Sequence, residues 1–148
     1  MLNKFADCLE KTEVKFNSEP SNLAEARKYV ADKAACCHFN DQEIFDIKLA
    51  VGEALANAVE HGSPKGSRNE ITVTCYCNKN DLMIAVSDQG SFRKILPVGN
   101  SNDVDYRGRG ILLMLALMDK VSIDESENGT TVYLTKRYHS ANDECETC

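Results

Sequence analysis

Apolar and polar positions follow two different periods along the chain, and their succession predicts the order of the elements. Spacings of three and four predict helices that begin at Pro20 and Ser21, at Asn40 and Asp41, and at Gly108. Two-residue alternation or short apolar runs predict strands over 13–17, 71–77, 82–87, 121–125 and 130–137. This order predicts an α/β (α+β) two-layer sandwich, with helices on one face of a mixed, mostly antiparallel sheet.

Two stretches of the chain fall outside these periods. Residues 89–107 contain Gly, Pro, Asn and Asp without periodicity, and a loop of that length in a compact domain is usually functional, most often a lid. Residues 139–148 are polar, and we predict a disordered tail there. The remaining residues, 1–138, have the length of a single domain.

Composition narrows the classes of function. The 148 residues carry 17 Lys and Arg against 23 Asp and Glu, for a net charge of −6. Direct nucleic-acid binding relies on a surplus of Lys and Arg, so this charge argues against it. No apolar run approaches the roughly 20 residues of a membrane span, and the first residues lack the apolar segment of a secretion signal. We therefore expect a cytoplasmic protein that contacts neither nucleic acid nor membrane.

Cysteines are frequent, but their spacing predicts no function. There are seven, an odd number, and in a reducing compartment we expect ordinary buried or tail thiols rather than disulfides. Cys36 and Cys37 are adjacent, and Cys75 and Cys77 lie on the same side of a predicted strand. The C-x-x-C of the tail has the spacing of half a zinc site, without a second pair of comparable spacing.

One predicted helix carries a polar pair on the face opposite its apolar stripe. Glu53 and Asn57 lie four residues apart, so their oxygens can converge on one point. An amide oxygen suits Mg²⁺, and a carboxylate one turn earlier can accept a proton from a nucleophile. A solvated helix face is the alternative interpretation. The apolar stripe of this helix, 41–61, consists of Ile44, Ile47, Val51, Ala54, Leu55 and Ala58.

Two short glycine-containing segments are further candidates. Asp88 and Gly90 follow directly on a predicted strand, where a carboxylate and a close backbone can meet a ligand; a plain turn explains the same residues. The second segment, Arg107, Gly108, Arg109 and Gly110, precedes an apolar helix. Free N–H groups at a helix start, with two arginines beside them, suit an anion. A flexible hinge with surface arginines is the alternative.

The motifs are more specific as a set than singly. In chain order they are E-A-L-A-N-A-V-E-H-G, D-Q-G, R-G-R-G-I and G-T-T-V-Y-L. This succession resembles the histidine-kinase-like (GHKL) ATPases over about 13–137, with an N box and two glycine boxes. The chain's size and its lack of a phosphoacceptor helical hairpin make it most similar to the bacterial anti-sigma-factor serine/threonine kinases. The resemblance implies the Bergerat ATP-binding fold, with ATP and Mg²⁺ as cofactors.

The resemblance also implies a role for each matching residue. Glu53 corresponds to the general base and Asn57 to the ligand of Mg²⁺. Asp88 corresponds to the acceptor of the adenine amino group, with Gly90 beside the base and Thr130 assisting Asp88. The implied nucleotide-binding set further includes His61, Arg107, Gly108, Arg109 and Gly110.

For function, the resemblance implies transfer of a phosphoryl group to Ser or Thr of an anti-sigma-factor antagonist with a STAS domain. It also implies sigma-factor binding and a homodimer. The alternative is a non-catalytic, nucleotide-binding anti-sigma or regulatory switch of the same fold. One position departs from the family: Phe92 stands where the first glycine box, D-x-G-x-G, has its second glycine. This departure bears on nucleotide affinity and on the geometry of the lid.

Overall fold

A computed structural model of the chain describes residues 10–90 and 110–138, and residue 109 by its backbone. Its strands are β1 (Glu10–Asn17), β2 (Glu70–Cys77), β3 (Asp81–Asp88), β4 (Lys120–Ser126) and β5 (Gly129–Arg137). Its helices are α1 (Leu23–Cys36), α2 (Asp41–Glu60) and α3 (Arg109–Leu117), with 3₁₀ turns at Pro20–Asn22 and Gly66–Arg68. The predicted tail, and the predicted lid from residue 91 onward, lie outside the described residues.

The five described strands form one sheet in the order β1-β2-β3-β5-β4. Each neighbouring pair is antiparallel, so the predicted antiparallel character is confirmed. A mixed sheet would also contain a parallel pair, and the described strands form none. Three residues join β2 to β3 and two residues join β4 to β5, and connections this short can link only antiparallel neighbours. β1 begins three residues earlier than its alternation predicts, because Glu10 pairs with Cys77 at the far end of β2.

The core lies between the sheet and the helices, as a two-layer α+β fold requires. α2 is the central helix and packs against α1, α3 and the sheet. Most of its predicted apolar stripe is fully buried, and Ile44 is partly buried at the edge of the core. The largest fully buried side chains are Ile47, Leu55, Ile71, Leu82, Ile84, Met114 and Leu134. Among the described helices, none has the length and apolar character needed to cross a bilayer.

The start of α2 is fixed by a reciprocal pair of hydrogen bonds. The backbone N–H of Glu43 donates to Asn40 Oδ1 at 2.8 Å, and the backbone N–H of Asn40 donates to Glu43 Oε1 at 2.9 Å. This capping box satisfies two N–H groups that would otherwise lack partners at the helix start. It therefore sets where α2 begins, and with it the angular position of every side chain that α2 presents to α3.

Candidate active site

Glu53 and Asn57 of α2 lie against the first turn of α3. A Cβ added to Gly110 would be 2.9 Å from Glu53 Oε1 and 3.5 Å from Asn57 Nδ2, so the missing side chain lets α3 approach the pair closely. Asn57 is 7% exposed, and its Nδ2 has no hydrogen-bond partner among the described residues. The polar face of α2 is therefore covered by α3 at this point, and the alternative of a solvated face does not hold for Asn57.

Asp88, the last residue of β3, is enclosed by backbone from three segments. Its Oδ1 accepts a hydrogen bond from the backbone N–H of Gly90 at 2.8 Å, and the residue is 8% exposed. A Cβ on Gly62 would lie 2.2 Å from Asp88 Oδ2, and one on Gly129 would lie 1.9 Å from the Asp88 carbonyl oxygen. The Asp88 carboxylate therefore occupies space that only a glycine at position 62 leaves open.

Thr130 stands beside Asp88 on the neighbouring strand. The two residues are direct partners in the β3–β5 register. Thr130 is 1% exposed, and its hydroxyl donates to the backbone carbonyl of Gly90 at 3.1 Å. The two bonds to Gly90, one from its N–H and one to its carbonyl, fix the backbone just beyond β3. Asp88, Gly90 and Thr130 form one buried hydrogen-bonded unit, whereas an isolated turn would have left them exposed.

Gln89 connects this unit to the loop between α2 and β2. Its Oε1 accepts from Asn69 Nδ2 at 2.6 Å and from the backbone N–H of Glu70 at 2.9 Å. Its own backbone N–H donates to the carbonyl of Gly62 at 3.2 Å. The sequence motifs predicted no role for Gln89, Asn69 or Gly62, although Gly62 is the last residue of the N box. Their contacts join segments about 20 residues apart, which spacing within a motif does not reveal.

The two groups of predicted residues are linked through the last turn of α2. The carbonyl of Asn57 accepts from the backbone N–H of His61 at 2.8 Å and from that of Gly62 at 3.2 Å. Asn57 thus faces α3 with its side chain while its carbonyl anchors the segment that packs on Asp88. A shift of either group would be transmitted to the other through fewer than two turns of helix.

The remaining predicted site residues fall into two cases. His61 is the C-cap of α2, and its Nε2 lies 3.6 Å from the carboxylate of Glu60. The backbone of Arg109 begins α3, at the position predicted for an anion-binding helix start, and its side chain lies outside the described residues. Arg107, Gly108 and Phe92 also lie outside them.

Comparison of the sequence with those of known proteins identifies the family to which the chain belongs. Residues 16–136 match the histidine kinase-like ATPase domain family. The chain belongs to this family. The serine-protein kinase RsbW of Bacillus velezensis is 33% identical over 134 residues, which cover 84% of this chain and 83% of that protein. RsbW of Bacillus thuringiensis is 34% identical over 146 residues, covering 92% and 88%. The anti-sigma F factor of Clostridium beijerinckii is 30% identical over 136 residues, covering 87% and 95%.

These relatives place the chain among the anti-sigma-factor kinases of the histidine kinase-like ATPases, so the predicted family is confirmed. A solved structure that contains the RsbU and RsbW domains of a Mycobacterium tuberculosis protein superposes with a TM-score of 0.66 at 22% identity. The match covers 86% of this chain and 32% of that longer chain. At this identity it bears on the fold, and it agrees with the two-layer α+β architecture.

An ATPase domain of this family acts on ATP, and ATP normally binds as a complex with a divalent cation. The side chains of Glu53 and Asn57 offer only oxygen ligands, which Mg²⁺ prefers. No group of three or more His, Cys, Asp or Glu side chains among the described residues is arranged to hold a metal ion. Mg²⁺ does not require one, because it keeps several waters and takes further oxygens from substrate phosphates. The buried amide of Asn57 therefore fits a Mg²⁺ that arrives with its nucleotide.

Proposed function

We propose that this protein transfers the γ-phosphoryl group of ATP to a serine or threonine of an anti-sigma-factor antagonist with a STAS domain, and that it sequesters a sigma factor. The observation that carries the proposal is the convergence of Glu53 and Asn57 beneath Gly110 at the start of α3. The names of the relatives, serine-protein kinase and anti-sigma F factor, support both the kinase activity and the binding of a sigma factor.

Glu53 is the proton acceptor in this proposal. The substrate hydroxyl oxygen forms a bond to the γ-phosphorus, the bond from that phosphorus to the bridging oxygen of ADP breaks, and the hydroxyl proton passes to the Glu53 carboxylate. Asn57 would hold Mg²⁺ through its amide oxygen. The cation would supply positive charge to the phosphate oxygens as charge develops on the leaving group. Proton acceptance and positioning are the main tasks left to the protein.

At the other end of the site, Asp88 accepts a hydrogen bond from the adenine amino group. A buried carboxylate that already accepts from Gly90 has lone pairs for a second donor and repels an acceptor. Guanine presents a carbonyl where adenine presents its amino group, so this contact selects ATP over GTP. Thr130 holds the backbone of Gly90 in place beside the base.

The phosphates meet the start of α3 in this arrangement. The first N–H groups of a helix lack intrahelical partners and carry partial positive charge, which favours an anion. Arg109, the first residue of α3, carries a full positive charge, and Arg107 and Gly108 precede it in the chain. A net charge of −6 is compatible with this site, because the positive groups need to be local rather than numerous.

The substitution Glu53→Gln tests the proposal, because glutamine keeps the shape of the side chain and removes its basicity. We expect phosphoryl transfer from ATP to a purified antagonist to fall at least a hundredfold, while the affinity for ATP stays within about threefold of the parent. The matched control is Glu25→Gln, the same change on the exposed first turn of α1, and it should leave both quantities unchanged.

The outcomes separate the kinase from the switch. If Glu53→Gln transfers phosphate at the parental rate, the assignment of the base is wrong. If the parent binds ATP and its sigma factor but never phosphorylates an antagonist, the protein is a nucleotide-gated anti-sigma switch.

Light scattering of the same sample gives the molar mass in solution, and the homodimer that we propose requires twice the 16.4 kDa of one chain.

A further inference from the structure

Two cysteines that are distant in the sequence meet in the core. Cys37 is the C-cap of α1 and Cys77 is the last residue of β2, and their sulfur atoms lie 2.7 Å apart. Unbonded carbon atoms pack about 3.5–4.0 Å apart, and sulfur is larger. A disulfide bond is about 2.05 Å long, so the two sulfurs need to approach by well under 1 Å to become bonded.

The surroundings give the two thiols different chemistry. The hydrogen bond between the two thiols lowers the pKa of Cys77 in spite of its burial, whereas the same contact and burial raise the pKa of Cys37. The hydroxyl of Tyr138 lies 3.4 Å from the Cys77 sulfur and also favours its thiolate. A proton that stays on one of two sulfurs this close favours the thiolate of the other, and the thiolate is the form that attacks an electrophile.

Access to the pair is restricted. Cys37 is 2% exposed and Cys77 is 4% exposed, whereas the adjacent Cys36 is exposed. The ring of Phe39 packs at a tilt of 33° against that of Tyr138, with centroids 4.9 Å apart, so the tyrosine beside Cys77 has a second contact. Oxidation of these sulfurs therefore requires a local opening, and we expect a small oxidant to need a smaller opening than a bulky disulfide does.

We propose that Cys37 and Cys77 form an oxidation site that hydrogen peroxide converts to a reversible disulfide. The Cys77 sulfur attacks one peroxide oxygen, the O–O bond breaks, and the other oxygen leaves as water after taking a proton, so that Cys77 becomes a sulfenic acid. The Cys37 sulfur then attacks the Cys77 sulfur, the S–O bond breaks, and a second water leaves with the Cys37 proton. Two thiols and one peroxide thus give one disulfide and two waters, and a reducing dithiol reverses the change by exchange.

The site is separate from the proposed active site. Cys77 pairs with Leu82 at the beginning of β3, and Asp88 is the last residue of the same strand. Six residues of extended chain span roughly 20 Å. Closing the disulfide would join the end of α1 to the sheet and enclose all of α2 in a covalent loop, so its first consequence is a change in stability rather than in nucleotide contacts.

The test uses the full reduced chain, treated with hydrogen peroxide and then blocked with N-ethylmaleimide. We expect peptide mapping by mass spectrometry to find a peptide pair joined between Cys37 and Cys77 that has lost two hydrogen atoms. The thermal midpoint should rise by roughly 10 °C if the entropy of closing a roughly 40-residue loop is realised in full, and a reducing dithiol should restore the original midpoint.

Three variants make the assignment specific. Cys37→Ser and Cys77→Ser should each abolish the peroxide-dependent rise in the midpoint, whereas Cys36→Ser, at the exposed neighbour, should retain it. Mapping of the parent protein decides the matter even if a serine variant fails to fold. Peroxide that leaves this pair reduced, or that joins only other cysteines, would overturn the proposal, as would a disulfide at 37 and 77 that a dithiol fails to reverse.

Discussion

Alanine at position 62 would test whether the Asp88 carboxylate must occupy the space beside this glycine. The added Cβ would lie 2.2 Å from Asp88 Oδ2 and 2.3 Å from its Cγ, whereas ordinary contact begins near 3.4 Å. The carboxylate would therefore have to move by roughly 1 Å within a packed interior, which costs about 1–3 kcal/mol of overpacking. Movement also breaks the 2.8 Å bond from Gly90, and a hydrogen bond to a charged group contributes about 1.5–3 kcal/mol.

The expected result follows from these two costs. The free energy of unfolding should fall by about 2.5–6 kcal/mol, the sum of the two costs, and by less where the surrounding backbone relieves the strain. Loss of the proposed contact between Asp88 and adenine, at about 1.5–3 kcal/mol, should by itself weaken ATP binding by about 10- to 150-fold. Chemical denaturation measures the free energy of unfolding. Titration calorimetry with ATP, at a temperature below the unfolding transition, measures the affinity for ATP.

Gly52→Ala is the matched control, since it makes the same change within α2, the helix that ends two residues before Gly62. Its Cβ would meet only the flexible side chain of Arg27, whose Cδ would be 3.2 Å away. Alanine is a better helix former than glycine by up to about 1 kcal/mol, so this variant should be as stable as the parent or more stable. If Gly62→Ala unfolds at the parental denaturant concentration and binds ATP within twofold of the parent, the close packing around Asp88 has no role in binding.

Two further substitutions test features that surround the site. Asn40→Ala removes one half of the capping box of α2 and should lower the free energy of unfolding by about 1 kcal/mol, or the thermal midpoint by about 2–4 °C. Asn40→Ser keeps a hydrogen-bond acceptor, so its free energy of unfolding should fall by less. Calorimetry of the two variants side by side distinguishes a lost cap from a lost contact. Thr130→Val keeps the shape of a fully buried side chain and removes the hydroxyl that donates to the Gly90 carbonyl, so ATP affinity should fall about tenfold. An affinity equal to that of the parent would show that the hydroxyl does not position Gly90.

Features encoded within a few residues of sequence could be predicted. The start of α2 was predicted at Asn40 and Asp41, and the capping box that fixes it joins Asn40 to Glu43, only three residues away. The strands of the two hairpins were predicted for the same reason, since alternation and turn residues are local signals. Glu53 and Asn57 were predicted to share a face of one helix, because four residues of α-helix place them there.

Features made by two distant segments could not be predicted in this way. The periodicity of α2 does not reveal that α3 covers Asn57, because the approach depends on Gly110 more than 50 residues later. The fit of Gly62 against Asp88 and the meeting of Cys37 with Cys77 likewise join residues that only the folded chain brings together. The early start of β1 has the same origin, because its first residues are held by pairing with β2 rather than by their own pattern.

The order of the strands leaves β1 and β4 with a neighbour on one side only, within the described part of the chain. Such edge strands can template the addition of a strand from another molecule, which is a route to aggregation. Both strands carry exposed charged residues, namely Lys11, Glu13 and Lys15 on β1 and Lys120, Asp124 and Glu125 on β4. An incoming strand would have to place its own side chains beside these charges, so only one with a complementary pattern could add. The sheet can therefore remain open at both edges without attracting indiscriminate partners.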